Sequence, residues 1–288
     1  MKIQKSIWFE AVNYTLLGLM ALLMVFPFWN VFVLSFSTAH LVYEGQLLFW
    51  PKQWTSIAYD TVFHNRQFIQ TFYNTVFVTV AGTILSMLLT ISLAYPLSKK
   101  HVKGTSVMLF LAFFTMLFNG GIIPSYLLVK ELGMLNSLWS LIVPSALSVF
   151  NLMIMVSFFR SVPQELEESA KIDGSNDMGV LARIVMPISL PVIATLTLFY
   201  AVSKWNIFFQ AVMYNSDVSK MTLQVLLRQI LVQMTSEAVD AAMSGDAPKI
   251  GVTVKMAMII IATVPILLIY PFLQKYFAKG AMIGSVKG

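Results

Sequence analysis

Six long stretches of this chain contain no Asp, Glu, Lys or Arg: Ala11–Tyr43, Gln67–Ser98, Gly104–Val129, Leu132–Phe159, Ile184–Ser203 and Met256–Gln274. At ~1.5 Å of rise per residue, about 20 residues cross the hydrocarbon core of a bilayer, and each stretch is close to that length or longer. The fifth continues past Lys204 through WNIFFQAVMY. The pattern predicts an all-α membrane protein of six transmembrane helices, at about 12–36, 69–97, 107–129, 138–158, 188–212 and 252–273. No low-complexity segment or long linker interrupts it, so residues 1–288 read as a single integral domain. Between the fourth and fifth stretches lies a polar island, Glu165–Pro187 (ELEESAKIDGSNDMGVLARIVMP).

Composition supports the membrane reading. Of the residues, 58% are hydrophobic and 11% charged, against roughly a quarter charged in soluble domains. The chain has no cysteine, so disulfides, cysteine zinc clusters and thiol nucleophiles are excluded. The opening MKIQKSIWFEAVNY enters an apolar run of full-span length without a signal-type cleavage site, which predicts a retained first helix. The formal charge is +6, but the lysines are scattered singly, which argues against nucleic acid as a partner. Their distribution sets orientation instead. Lys and Arg are about twice as dense in segments 1–10, 98–106, 159–187 and 274–288 as in 37–67, 126–137 and 213–250. The positive-inside rule then places both termini and the loop 159–187 in the cytoplasm.

Local signals divide some of these spans. Asn119–Pro124 (NGGIIP) is a strong breaker inside the third, read either as an ordinary kink or as a break lining a cavity. In the polar island, Ser161 and Gln164 have capping-box spacing, and Pro163 suits a first turn. Gly174 supplies a left-handed helix stop, and Ser175 or Asn176 can cap a second helix running to Pro187. The expected product is a short helix held across the base of the bundle.

These residues carry a resemblance. Glu168-Ser169-Ala170, then Gly174, then Ile184-x-Met186-Pro187 resembles the EAA signature (E-A-A-x3-G-x9-I-x-L-P) of ABC importer permeases, with Ser169 and Met186 as the two departures. The segments SFST, FWPKQWT, YNTVFVTVAGT and SKWNIFFQAVMY and the tail KGAMIGSVKG are similar to carbohydrate permeases of the maltose type. The segment FNGGIIPSYLLVKELGMLNSLWSLIVP is similar to their oligosaccharide subgroup. The resemblance implies a type I ABC importer permease fold and one half of a transport pathway in the bacterial cytoplasmic membrane. The partners it implies are a second permease subunit in a heterodimer, two cytoplasmic ATPase subunits and an extracytoplasmic solute-binding protein that delivers sugar. It implies no cofactor on this chain, with ATP and Mg used by the partner subunits. Residues 159–187 would be the coupling loop, with Glu165, Glu168, Ser169, Ala170, Asp173, Gly174, Ile184 and Pro187 as its ATPase-coupling residues. Alternating access would be the mechanism.

Polar residues inside the spans are the candidates for the substrate path. Lys204 is an intramembrane charge and so a functional hypothesis, weighed against reaching the outer interface beside Trp205. Asn206 and Gln210 follow it, with Asn119 and Asn151 ranked below them because polar residues in bundles often bond a neighbouring helix. Lys255 begins the sixth span, where snorkelling is the simpler account. Leu223, Leu226, Leu227, Ile230, Leu231 and Met234 form one helical face in the segment 213–250. A phosphate-binding G-x-x-x-x-G-K-[ST] loop is absent from the sequence, so the chain is not expected to be an ATPase. His40, His64 and His101 are far apart in sequence, which makes no catalytic cluster. A permease for a non-sugar solute, and a self-contained carrier or channel, remain the competing readings; nucleotide dependence of transport separates the last two from the first.

Overall fold

The computed structural model of the chain describes residues 7–38, 49–99, 101–244 and 251–284. Lys2, Lys5, His40, Lys100, Lys249, Lys287, the end of the Gly-rich tail and the side chain of Met234 lie outside what is described. Among the described residues the regular structure is helical throughout. In chain order the elements are α1 (Ile7–Ser35), α2 (Ile57–His64), α3 (Arg66–Ser98), α4 (Thr105–Leu117) and α5 (Ile122–Glu131). Then come α6 (Trp139–Ile142), α7 (Val149–Ser161), α8 (Gln164–Ile172) and α9 (Asp177–Ile188). The last are α10 (Leu190–Trp205), α11 (Phe209–Tyr214), α12 (Leu223–Ser244) and α13 (Val252–Gly284).

The expected spans one and two are long continuous helices, and they are the two that pass by length and composition as membrane-crossing: Phe9–Ser35 and Arg66–Ser98. Spans three to five are interrupted rather than continuous helices. Span three is α4 and α5 bent by 113° about Asn119–Gly121, with Gly121 at φ +91°. Span four is the single turn α6, an irregular stretch and then α7. Pro144 explains that break, because it offers no N–H to Ser140 and its ring crowds the preceding turn. Span five ends at Trp205 and restarts at Phe209. There the backbone N–H and side-chain Nδ2 of Asn206 both donate to the Val202 carbonyl, which closes the helix locally. Counting each bent pair as one crossing gives up to four candidates, and the apolar helices Val149–Ser161 and Val252–Leu268 are shorter. Helix α13 also runs past the expected end at 273.

The chain divides into two compact units, residues 1–69 with 227–264 and residues 70–226 with 265–288. In the first, α1 buries almost none of its apolar surface within the chain, as a lipid- or partner-facing helix does. Its last turns carry an aromatic ladder onto residues 49–59. Trp29 lies tilted against Trp50 (5.8 Å), Phe36 lies against Trp54 (5.5 Å) and Tyr59 (4.6 Å), and Ser35 shares a 2.8 Å hydrogen bond with the Tyr59 hydroxyl. Lys255, in the same unit, is 2% exposed, so the snorkelling expectation is corrected: its side chain is buried.

The second unit has two apolar clusters. One joins α3 (Ala94, Tyr95, Leu97) to α7 (Leu152, Met155, Phe159), Ala170 of α8 and Val180, Leu181 and Val185 of α9. The other joins Val78 of α3 to Val129, Leu141, Ile142, Ile207, Ala211 and Tyr214. Near this second cluster α3 grips the turn before α12. Asn74 Nδ2 donates to the carbonyls of Ser219 and Met221, each at 2.8 Å, and Thr75 Oγ1 accepts from the Leu223 N–H at 2.8 Å. Asn74 is buried, so Asn74→Leu should cost about 1–3 kcal/mol by stranding those carbonyls. Faster tryptic cleavage after Lys220 is the expected readout; an unchanged rate would refute the grip.

Along the predicted amphipathic face of α12, Leu223 and Leu226 are buried, whereas Leu231 is 43% exposed. The face is therefore buried only at its start.

Candidate functional site

The polar island folds as two helices around a sharp turn. Pro163, rather than Ser161, stands at the N-cap of α8; the Ser161 hydroxyl donates to the Phe158 carbonyl. Glu165 and Glu167 occupy the first turn and Lys171 the last, matching the helix dipole at both ends. The stop is a complete Schellman turn. Gly174 has φ +85°, its N–H donates to the Lys171 carbonyl (3.0 Å), and the Ser175 N–H donates to the Ala170 carbonyl (2.9 Å). Asn176 then caps α9, its side chain accepting from the Gly179 N–H at 2.8 Å. Lys171 and Asp177 pair across the turn at 2.8 Å. The hydrogen bond between them lowers the Asp177 pKa and raises that of Lys171. Helix α9 widens to a π turn at Leu181–Val185, one turn before Pro187, and bends 83° into α10.

The faces of α8 divide cleanly. Glu167 and Ala170, three apart, are buried, while Glu165, Glu168, Ser169 and Asp173 are exposed. Ile172 (87% exposed) stands on the outward side within about 40° of Glu165 and Glu168, Leu166 (44%) lies nearer the edge of the inward face, and Met178 of α9 (71%) stands beyond the turn. A large apolar side chain held exposed among carboxylates on a short capped helix has the chemistry of a contact point for a partner. Sequence reading selected the charged members and missed Leu166, Ile172 and Met178. The signal was present: once Ala170 is phased inward, Ile172 falls about 200° away on the helix. Ile184 is half-buried against the core, and Pro187 is exposed.

The second feature is a cleft of about 670 Å³ between α7, α10 and α11, reaching the 145–148 stretch. Asn151, Lys204, Asn206 and Gln210 all line it, with Ser145, Ser148, Tyr200 and Ser203, and with Phe150, Phe208 and Phe209. Four of the five predicted path residues are thus brought together. Asn119 is not among the lining residues; it is exposed, and its side chain accepts from the Gly121 N–H at 2.9 Å.

Lys204 is 3% exposed, so it does not reach out to an interface. Its ammonium donates to Ser145 Oγ (2.6 Å), the Ser145 carbonyl (2.9 Å) and the carbonyls of Leu141 and Ile142 (3.4 Å each). The Leu141 and Ile142 carbonyls belong to the last turn of α6, where the helix stops, so the cation caps that broken helix. A Cβ on Gly82 of α3 would stand 3.2 Å from the lysine stem, so the glycine makes room for it. Among the described residues no carboxylate pairs with Lys204, and its positive field reaches the cleft. The amides differ in their freedom. Asn206 accepts from Gln224 (3.3 Å) and donates to Val202 (2.9 Å). Asn151 is 5% exposed, and neither its amide nor that of Gln210 has a hydrogen-bond partner among the described residues.

Apolar helices around a polar cleft, with a rigidly capped helix presented on a connecting loop, define a component of a membrane transport system. The chain belongs to the family of binding-protein-dependent transport system inner membrane components, whose pattern matches residues 101–282. It is 45% identical, over 99% of its length and all of the relative, to the polygalacturonan/rhamnogalacturonan transport system permease protein YtcP of Bacillus subtilis (strain 168). It is 46% identical to protein LplC of the same organism, over 97% of this chain and 95% of that one. Its fold matches a chain in the crystal structure of a bacterial ABC transporter involved in the import of the acidic polysaccharide alginate. That match has a TM-score of 0.86 and 33% identity, over 96% of this chain and 99% of the other.

Proposed function

We propose that this chain is a permease subunit of an ATP-driven importer of acidic oligosaccharides. The observation that carries the reading is the cleft: an unneutralised lysine in its wall, two unpartnered amides at Asn151 and Gln210, and aromatic rings. Amides and hydroxyls hydrogen-bond sugar hydroxyls, phenyl rings cover the apolar faces of pyranoses, and the Lys204 field favours a carboxylate. With its N–H groups already engaged, Lys204 acts on the sugar through charge, while Asn151, Asn206 and Gln210 make the contacts. The substrates named for the relatives, polygalacturonan, rhamnogalacturonan and alginate, support the acidic class.

The rest of the reading follows the family. Six crossings result if α1, α3, the bent pair α4–α5, α6 with α7, α10 with α11, and α13 each count once. Both termini and the loop 159–187 lie in the cytoplasm of a bacterial cell. The loop docks on an ATPase subunit through Ile172 and Met178, with Glu165, Glu168 and Asp173 as charged contacts. Ser169 allows close approach, Ala170 seats the helix on the permease core, Gly174 makes the turn, and Ile184 and Pro187 join it to the span. ATP and Mg are used by two partner ATPases, a second permease completes the pathway, and a binding protein delivers the sugar for alternating access.

The test is uptake into proteoliposomes holding the complete transporter and its binding protein. Uronic-acid oligosaccharide should accumulate only with ATP inside the reconstituted cytoplasmic face, and Asn151→Leu should slow uptake about tenfold, the loss of one good hydrogen-bonding group to a sugar. Accumulation without ATP would overturn the importer reading, and equal transport of neutral oligosaccharides would overturn the acidic one.

A further inference from the structure

Helix α8 has an inward face as well as an outward one, and that face is joined to a different helix from its chain neighbours. Glu167 forms an ion pair with Lys99, just past the end of α3, with the two side chains 11% and 14% exposed. The Lys99 ammonium also lies 4.4 Å from the centroid of the Tyr95 ring. Tyr95 in turn meets Phe159 of α7 edge-on at 6.5 Å. Arg160, near the end of α7, donates to the Leu97 carbonyl at 3.2 Å, closing the same end of α3. Ala170, one turn along from Glu167, packs in the cluster that contains Tyr95 and Leu97. At its other end α3 holds the carbonyls of Ser219 and Met221 through Asn74 and the Leu223 N–H through Thr75.

We propose that the Lys99–Glu167 pair is a strut through which displacement of α8 is delivered to α3, so that α3 acts as the rod linking the coupling loop to the 219–223 turn. The proposal rests on the reading of α8 as the ATPase-docking helix. The physical argument is one of stiffness. A helix from Asn74 to Ser98 spans about 37 Å at ~1.5 Å per residue and transmits an axial push without bending far. A partly buried ion pair also resists separation more strongly than a solvated one, since less water screens it. The covalent neighbours α7 and α9 are joined to α8 through the backbone at Val162–Pro163 and at the Gly174 turn. The ion pair attaches it to α3 by a contact that does not pass through either turn. Glu167 and Lys99 are therefore positioning residues, and neither belongs to the docking face or the cleft.

The experiment compares sugar taken up per ATP hydrolysed in the complete reconstituted transporter for wild type, Glu167→Gln, Lys99→Gln and the charge swap Lys99→Glu with Glu167→Lys. Retention of the ATPase on the purified complex is measured alongside. Each single variant should keep its ATPase and its basal hydrolysis while uptake per ATP falls about tenfold, and the swap should recover at least half of the loss. A purely structural role would reduce the amount of folded transporter and leave the ratio unchanged; that result overturns the strut. Failure of the swap to recover the ratio, with the complex intact and active in hydrolysis, also overturns it. Loss of docking is tested separately by Ile172→Asp. If that variant retains its ATPase, the docking reading fails, whereas a normal ratio in Glu167→Gln with docking intact removes the strut alone.

Discussion

Ile172→Asp is expected to strip the ATPase subunits from the solubilised transporter while leaving the permease itself folded. Ile172 is 87% exposed within the chain, so no packing of the permease depends on it. Its neighbours in the turn are fixed by backbone hydrogen bonds at Gly174 and Ser175, and aspartate at position 172 disturbs neither. Burying an isoleucine in a partner's groove contributes about 1.5–3 kcal/mol. The substitution loses that term and adds the cost of an unpaired carboxylate in an apolar site. Loss of the first term alone is roughly a 10–150-fold weaker complex. Co-purification and ATP-driven uptake should fall together, with an unchanged melting curve for the permease. Full retention of the ATPase would refute the docking surface, and Ile172→Val, which keeps an apolar side chain, should behave nearly as wild type.

Lys204→Met should destabilise the permease through groups that the substitution does not touch. Methionine keeps an unbranched stem beside Gly82 but removes every donor. Ser145 is exposed to the cleft and can be rehydrated, and its hydroxyl still donates to the Leu141 carbonyl at 2.8 Å, whereas Ile142 is buried. The Ile142 carbonyl, without a donor, costs about 1–3 kcal/mol. Relief from holding a buried ammonium offsets part of this, so a net loss of about 1–2 kcal/mol is expected. At ~2–4 °C per kcal/mol for a chain of this size, the melting temperature should drop by roughly 2–8 °C. A second measurement isolates the clamp. Gly82→Ala should be destabilising in the wild type, where its Cβ meets the lysine stem, and neutral beside Lys204→Ala, a coupling of about 0.5–1.5 kcal/mol. Wild-type stability in Lys204→Met would refute the clamp.

Much of the 159–187 loop was legible because its signals are local. Gly174, Asn176 and Pro187 act within a few residues of themselves, through left-handed φ, a side-chain cap and a missing N–H. The long helices α1 and α3 were legible for the same reason, since an uninterrupted apolar run over a full bilayer thickness permits little else. The three middle spans were not, although Asn119–Gly121, Pro144 and Asn206 stood in plain view. A breaker states that a helix can stop, and neighbouring segments decide whether the freed carbonyls find donors.

Lys204 illustrates that division. Its residue type and its place in an apolar run already marked it as consequential. Whether its ammonium met a sugar, the interface or a carbonyl depended on α6 and Gly82, which lie 59 or more residues away. Glu167 was overlooked beside Glu168 because the two are adjacent in sequence, and only the packing of Ala170 against α3 turns one inward and the other out. By itself, then, the sequence determined an all-helical membrane protein, the turns of the 159–187 loop and the family to which it belongs, because hydrophobic run length, glycine φ and proline chemistry are properties of a residue and its immediate neighbours. The tertiary structure alone decided which polar groups share the cleft, which face of α8 is offered and what Lys204 and Lys99 hold, because long side chains choose partners by distance in space across helices that the sequence order keeps far apart.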